Sequence, residues 1–388
     1  MRIDKINLYK VLLPFSVKFS HSIRKRLFTK NIVVEIISDT GEIKGYGEGA
    51  PRSYVTGETQ ESAAYGVQNL IGKNQFPWEL NDVSQIWDFV DSLPNGKGTN
   101  SAVCALETAL LDALARKQDR YILEYFPQDF FVNSIHYGAA IPFASGKKLM
   151  DMCGLVKKIG LKKLKLKMGR DFEQNRNMVE TLSLILGDGY DLKVDINGAW
   201  DYELALAHIP ILKEYNVKVV EQPMMPDDPD IAEFSGTIRG NGIILMADES
   251  ACSLDEVKRI IKEGYYKMVN IRLSKCGGFR RSFKIIDYLR RRGLSFQIGC
   301  QLGETGLLSA AGRALSLLCG DAAYYDGSYD AYLLKENITV KDVSFGPGGK
   351  AGPLNGPGLG VEVSKEKLER MSDLSSKITI MRPTQPAR

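Results

Sequence analysis

No two of the six cysteines (104, 153, 252, 276, 300 and 319) stand at a CxxC spacing, and none groups with histidine. That excludes a thiolate metal site and a disulfide framework, and leaves six reduced thiols. No stretch reaches the roughly 18 uncharged apolar residues of a membrane span, so no membrane partner is expected. Met1 to Phe15 carries Arg2, Asp4, Lys5 and Lys10 and lacks the apolar core of a signal peptide, which points to a cytoplasmic protein. The 51 basic and 47 acidic residues leave a net charge of only +4, and no basic tail is present, so a nucleic-acid partner is excluded as well. No GxGxxG follows an apolar strand, which removes the dinucleotide fingerprint. What remains is an ordinary globular composition, 44% hydrophobic and 25% charged, over 388 residues, long enough for two units with a large core.

Residues 2–13, 30–38 and 43–49 are rich in Val, Ile and Leu, and Asp39-Thr-Gly41 supplies a turn between the second and third. They read as an antiparallel sheet, followed by helices near 58–71, 82–92 and 101–117: an α+β unit over residues 1–130. Two segments inside it, residues 19–26 and 47–58, read as loops able to cover a neighbouring site. From residue 131 to 364 the rhythm alternates. Eight strands are predicted at 133–141, 161–167, 191–196, 217–222, 243–248, 267–272, 294–299 and 322–327, with helices between them. Ser253-Leu-Asp-Glu256 is a capping box, and Gly187, Gly264 and Gly293 stand just past helix ends. Eight such units predict an α/β chain of the TIM-barrel type. An open doubly wound sheet is the alternative.

The charged residues fall at the strand ends. Asp195 to Glu221 is 26 positions, and Glu221 to Asp248 and Asp248 to Lys275 are 27 each, about one strand-plus-helix unit. Right-handed crossovers carry equivalent strand ends to one face, so Asp195, Glu221 and Asp248 converge on neighbouring strands. Three carboxylates together resist ionisation unless a cation lies among them. An all-oxygen set favours Mg²⁺, or Mn²⁺. Asn197 and Glu249, next to two of these acids, are expected to support the ligands.

Lys165 and Lys167 alternate with Leu164 and Leu166, so both face one side of the second strand. Lys275 follows the sixth strand, diametrically opposite in a ring of eight. A carboxylate substrate held on the metal then has an amine on each face. Lys165 should ease deprotonation of Lys167, and the ion stabilises the enediolate left when an α-proton departs.

At these residues the chain resembles the enolase superfamily, and within it the muconate-lactonising-enzyme subgroup. The resemblance rests on Lys165-Leu-Lys167, Asp195/Glu221/Asp248, Lys275-Cys-Gly-Gly and Gly356-Pro-Gly-Leu-Gly360. It implies a (β/α)7β barrel, an N-terminal capping domain to which residues from about 365 to 388 return, Asp195, Glu221 and Asp248 as metal ligands, and Lys167 and Lys275 as the acid/base pair. Barrels with this cap often associate as homo-oligomers. The implied reaction is that of a racemase, epimerase or cycloisomerase, with a synthase that loses water, of the o-succinylbenzoate type, and a non-catalytic carboxylate-binding barrel as alternatives. Substrate selection falls to His21, Arg24, Arg26, Arg52 and Tyr54 in the capping loops, and to Gln301, Glu304 and Asp326 at the last strand ends. Where dipeptide epimerases of the subgroup carry Asp-x-Asp, this chain has Tyr324-Tyr325-Asp326, and Leu302-Gly303-Glu304 stands where a Leu-Glu pair is usual.

Overall fold

A computed structural model describes residues 1–20, 25–73 and 75–383. The chain opens with a long hairpin, β1 (Ile3–Ser20) and β2 (Lys25–Ser38), joined antiparallel to β3 (Lys44–Gly49). The hairpin runs further than its sequence suggests: Phe19 pairs with Arg26 and Ser20 with Lys25 beyond a register shift after Pro14. In the segment expected as a loop at 19–26, residues 19–20 and 25–26 are therefore strand, and 21–24 lie outside the described residues. Helices α1 (Gln60–Lys73), α2 (Val83–Ser92) and α3 (Asn100–Lys117) follow. Almost every residue of α3 from Asn100 to Ala115 is buried, because one side meets the sheet and the other the strand-helix repeats. The contact with β3 is unusually close. A Cβ placed on Gly45, Gly47 or Gly49 would lie 2.1–2.5 Å from the backbone of α3, so glycine at alternate positions of β3 sets the distance between sheet and helix.

The repeats then run β4 (Ile135–His136), β5 (Ala139–Ile141), α4 (Gly146–Ile159), β6 (Lys163–Lys167), α5 (Phe172–Leu186), β7 (Asp191–Asp195), α6 (Tyr202–Glu214), β8 (Val219–Glu221), α7 (Ile231–Gly240), β9 (Ile244–Ala247) and α8 (Leu254–Glu263). After these come β10 (Met268–Ile271), α9 (Leu273–Cys276), α10 (Phe279–Arg291), β11 (Ser295–Ile298), α11 (Gly306–Leu318) and β12 (Tyr324–Tyr325). Strands β5 to β12 form one parallel sheet in chain order, the TIM-type arrangement. Its ladder does not close: the seam between β5 and β12 carries one backbone bond, Gly138 N–H to the Tyr325 carbonyl at 2.9 Å. The first expected strand divides here. Residues 135–136 pair instead with β13 (Lys350–Ala351), and only the short Ala139–Ile141 piece enters the parallel sheet. Of the expected capping box at Ser253 only one half forms: the Ser253 side chain accepts from Glu256 N–H, while Glu256 Oε2 accepts from Cys252 N–H and not from Ser253, and Gly264 ends that helix in the left-handed region at φ 81°.

No helix of ordinary length follows β12, where α12 (Asp330–Leu333) makes a single turn. Past β13, α13 (Lys365–Arg370) leads to β14 (Ile378–Met381), which pairs antiparallel with β1. The chain's two ends thus share one sheet. The cap is fastened by carboxylates at helix N-termini: Glu48 of β3 accepts from Thr305 and Leu308 N–H at the start of α11, and Glu107 of α3 from Phe279 and Arg280 N–H at the start of α10. Among the described residues no helix is long and apolar enough to cross a membrane.

Candidate active site at the strand ends

Register puts the chemistry in one row. Lys167 is the Cα partner of Asp195, and Asp195 of Glu221, across β6, β7 and β8. Asp248, on the turn just past β9, continues the row. Asp195, Glu221 and Asp248 are each at most 1% exposed. Lys167 Nζ donates to Asp195 Oδ2 at 2.9 Å and to Asn197 Oδ1 at 2.5 Å. At the far end Lys275 Nζ lies 3.1 Å from Asp248 Oδ1 and donates to the carbonyls of Asp248 and Asn270 at 2.8 and 2.5 Å. The two lysines therefore bracket the three acids. Lys165 and Lys167 are bridged by Asp195, which both ammonium groups approach, at 3.8 and 2.9 Å.

Two further cations, unremarked in the sequence reading, complete the cluster. Arg272 donates to Asp248 Oδ2, to Glu221 Oε1 at 3.3 Å and to Gln301 Oε1 at 3.0 Å. Lys193 donates to Gln297 Oε1 and to both oxygens of Asp326, at 3.0 and 3.2 Å, with the Tyr324 ring face 4.4 Å away. The signal for both was strand alternation. Arg272, extended and just past β10, shares a face with Asn270 of that strand, and Lys193 shares one with Asp191 and Asp195.

Burial and these pairs set the protonation. Burial works against the Lys165 charge, but Asp326, Glu221 and Asp195 outweigh it and hold the ammonium well above its ordinary value. For Asp195 burial is overcome by Lys167, Lys165 and Arg272, which draw it far below the carboxylate range. Glu221 goes up, through burial and then the neighbouring Asp195. Glu249 is likewise pushed up to about 8 by burial and Asp248, and Asn197 Nδ2 donates to its Oε1 at 3.2 Å. Burial lowers Lys193, whereas Asp326 is held at about 2 despite burial by Lys165 and Lys193. With three polar contacts and a ring face around the Lys193 ammonium, we assign the ionised pair.

A cavity of about 330 Å³ opens on this cluster, lined by Lys165, Lys167, Asp195, Asn197, Arg272 and Asp326, with Tyr54 from the cap. Lys275, Glu221, Asp248 and Glu249 lie outside that lining and are 0–4% exposed. The remaining expected substrate contacts fall elsewhere. Arg52, 2% exposed, is bound to Thr29 Oγ1, Asn31 Oδ1 and the Leu302 carbonyl, so it ties the cap to the loop after β11 and does not line the cavity. Gln301 supports Arg272, and Glu304, pushed up to about 8 by burial, accepts from Gln301 N–H. Arg26 lies on β2, and His21 and Arg24 fall outside the described residues.

The acids suit a hard cation in chemistry: every donor is oxygen, Glu249 Oε2 is buried without a hydrogen-bond donor, and Glu221 Oε2 and Asp248 Oδ1 are met only by the ammonium groups of Lys165 and Lys275, at 3.3 and 3.1 Å. As they stand, no three metal-ligating side chains among the described residues converge on a common centre. Arg272 and Lys165 reach in among them, each neutralising acids that an ion would share.

A capped, eight-stranded parallel sheet with acids and lysines at its strand ends defines the class, and the comparisons give the family. Residues 149–367 match the model described as enolase C-terminal domain-like. The chain belongs to the enolase superfamily and is an enzyme of it. It is 30% identical over 365 residues to the L-Ala-D/L-Glu epimerase of Bacteroides thetaiotaomicron, covering 90% of this chain and 86% of that protein. To the N-succinyl-L-Arg/Lys racemase of Bacillus cereus it is 27% identical over 323 residues, 80% and 83% of the two chains. Its fold is that of the Cytophaga hutchinsonii dipeptide epimerase crystallised with Mg and D-Ala-L-Val: TM-score 0.84, 23% identity, covering 98% of this chain and 100% of that one.

Proposed function

We propose that the protein is a divalent-metal-dependent racemase or epimerase that removes and returns the α-proton of a carboxylate substrate. The eight-stranded sheet serves as a (β/α)7β barrel with the site at its mouth. One observation carries the reading: Lys167 and Lys275 stand at opposite ends of one row of acids, against Asp195 and Asp248. Two lysines on opposite faces of an α-carbon are what inversion through a planar intermediate requires. Asp195, Glu221 and Asp248 would hold Mg²⁺ or Mn²⁺, which supplies positive charge against the charge developing on the carboxylate. Lys167 Nζ, on the cavity wall, takes the proton from one face, and Lys275 Nζ delivers one to the other. Lys165, fixed in charge by three acids, stabilises the same region and keeps Asp326 ionised. Tyr54 brings the cap over the cavity and restricts water. The epimerase and racemase relatives support the reaction class.

The test is deuterium incorporation at the α-carbon in D₂O with Mg²⁺, over dipeptides and N-acyl amino acids. Lys167→Ala and Lys275→Ala should each lower exchange from one configuration by about 10²–10⁴-fold and spare the other. Exchange that persists undiminished in both variants contradicts the assignment.

A further inference from the structure

The cavity does not end at the acids. From Lys165 and Lys167 it continues along an apolar wall formed by Met152, Leu155, Val156 and Ile159 of α4. Tyr332 and Phe345 form the opposite wall, their rings 5.6 Å apart. This is the place where a full eighth helix would pack. Because α12 is a single turn and the seam beside it holds one ladder bond, the space next to α4 is left unfilled. Ala140, the Cα partner of Lys165 on β5, lines the passage and keeps it wide. Leu155 and Tyr332 are 47% and 41% exposed, apolar surface with no protein element packed over it.

Charge decides what can lie there. Asp195 and Asp326 are the acids lining the cavity. Asp195 is engaged by Lys167 at 2.9 Å, and Asp326 by Lys165 and Lys193 at 2.9 and 3.0 Å. A free α-ammonium reaching this lobe would be desolvated without a counter-charge.

We infer that the α4 lobe receives an uncharged apolar N-acyl group, so that the substrate is an N-acylated amino acid with a hydrophobic acyl chain and not a dipeptide with a free amine. This rests on the reading of the site as one for an amino-acid carboxylate. Leu155 and Tyr332 are then specificity-determining, and the Lys193–Asp326 pair acts by withholding the one acid that could accept an ammonium.

The experiment is calorimetric binding of N-acetyl-L-alanine and N-octanoyl-L-alanine to the Mg²⁺-loaded full chain, with exchange measured alongside. Octanoyl is six methylenes longer than acetyl; each one buried is worth about fourfold in affinity, so burial of roughly half of them makes the octanoyl compound about 60-fold tighter. Leu155→Asp, at a half-exposed position where folding is not at stake, should bring it down to the acetyl value. Lys193→Met should raise exchange of the free-amine dipeptide L-Ala-L-Leu. Equal affinity for the two acyl lengths, or a length preference untouched by Leu155→Asp, overturns the inference. A length preference without α-exchange on any substrate keeps the lobe and defeats the proposed reaction, whereas exchange without length preference does the reverse.

Discussion

Arg272→Met removes a guanidinium from the middle of the acid row while keeping its stem. The arginine is 7% exposed and contacts Asp248, Glu221 and Gln301. Taking one partner from a buried ion pair costs about 3–5 kcal/mol, because the other charges stay behind uncompensated. At roughly 2–4 °C per kcal/mol for a domain of the barrel's size, the variant should melt about 6–20 °C below the parent in chelator. Mg²⁺ reverses the comparison. In the parent an ion on Asp195, Glu221 and Asp248 must displace Arg272 from two of them, whereas in the variant Asp248 Oδ2 has lost its guanidinium and Glu221 Oε1 keeps only the neutral Asn270 donor. Ligation stabilises by about 2.7 kcal/mol at 100 times Kd, and tighter binding in the variant adds to that at fixed Mg²⁺. Differential scanning fluorimetry in EDTA and across a Mg²⁺ titration measures both effects without reference to turnover. A variant that melts with the parent in EDTA, or that gains no more from Mg²⁺ than the parent does, refutes the idea that Arg272 stands in for the ion's charge.

Gly47→Ala should destabilise the cap by at least the 1–3 kcal/mol typical of overpacking, since its Cβ would lie 2.1 Å from the Ala105 carbonyl oxygen; urea unfolding checks it, and a neutral result would mean that β3 and α3 can separate freely. His208 sits behind the loop that follows Lys167: its Nδ1 donates to the Leu204 carbonyl, its Nε2 accepts from Asn175, and Asn175 in turn holds Gly169 N–H and carbonyl. Burial keeps this imidazole below its ordinary pKa, so the unfolded chain takes up the proton first. Stability is full above about pH 6.5, the unfolded value, and falls as pH drops below it. The melting temperature of the parent between pH 7 and 5 should fall more steeply than that of His208→Gln, and parallel curves would remove His208 from the account.

The repeating strand ends were legible because a period of 26–27 residues and a charged terminus are both local features of the chain. Parallel pairing then does the rest, and Lys167, Asp195 and Glu221 arrive in one register row. What was not legible depends on side-chain competition inside the barrel. Arg272 ends up on Asp248 and Glu221, with Gln301 as a third acceptor, and Lys193 reaches Asp326, just past a strand end 133 residues later. Arg52 shows the opposite error. A basic residue in a loop reads as a ligand for an anion, yet its guanidinium finds Thr29, Asn31 and the Leu302 carbonyl, partners whose proximity depends on how the cap lies on the barrel. The segment 19–26 was read as a loop because polar and basic residues mask its β pattern, while the pairing of β1 with β2 reaches Ser20 and Lys25.

That seating also reaches the second lysine. Asn100, at the start of α3 and fully buried, donates from Nδ2 to the Lys275 carbonyl at 2.6 Å and to the Cys252 carbonyl at 2.8 Å, and accepts from Arg281 Nη1 at 3.1 Å. Ser274 Oγ accepts from Ala50 N–H at 2.8 Å. Lys275 is thus placed by the cap as much as by its own strand, whereas Lys167 is placed by β6, Asp195 and Asn197 within the barrel. Asn100→Ala leaves two buried carbonyls without donors, at about 1–3 kcal/mol each, and lets the Lys275 turn drift. The expected result is asymmetric: deuterium exchange that depends on Lys275 falls by about tenfold or more, while exchange through Lys167 stays near the parent rate. A wholly structural role would lower both together, and Asn100→Asp, which keeps an acceptor for Arg281 but loses both donors, should reproduce the asymmetry. Equal loss in the two directions would show that the cap holds the site only as a lid and has no part in orienting its second base.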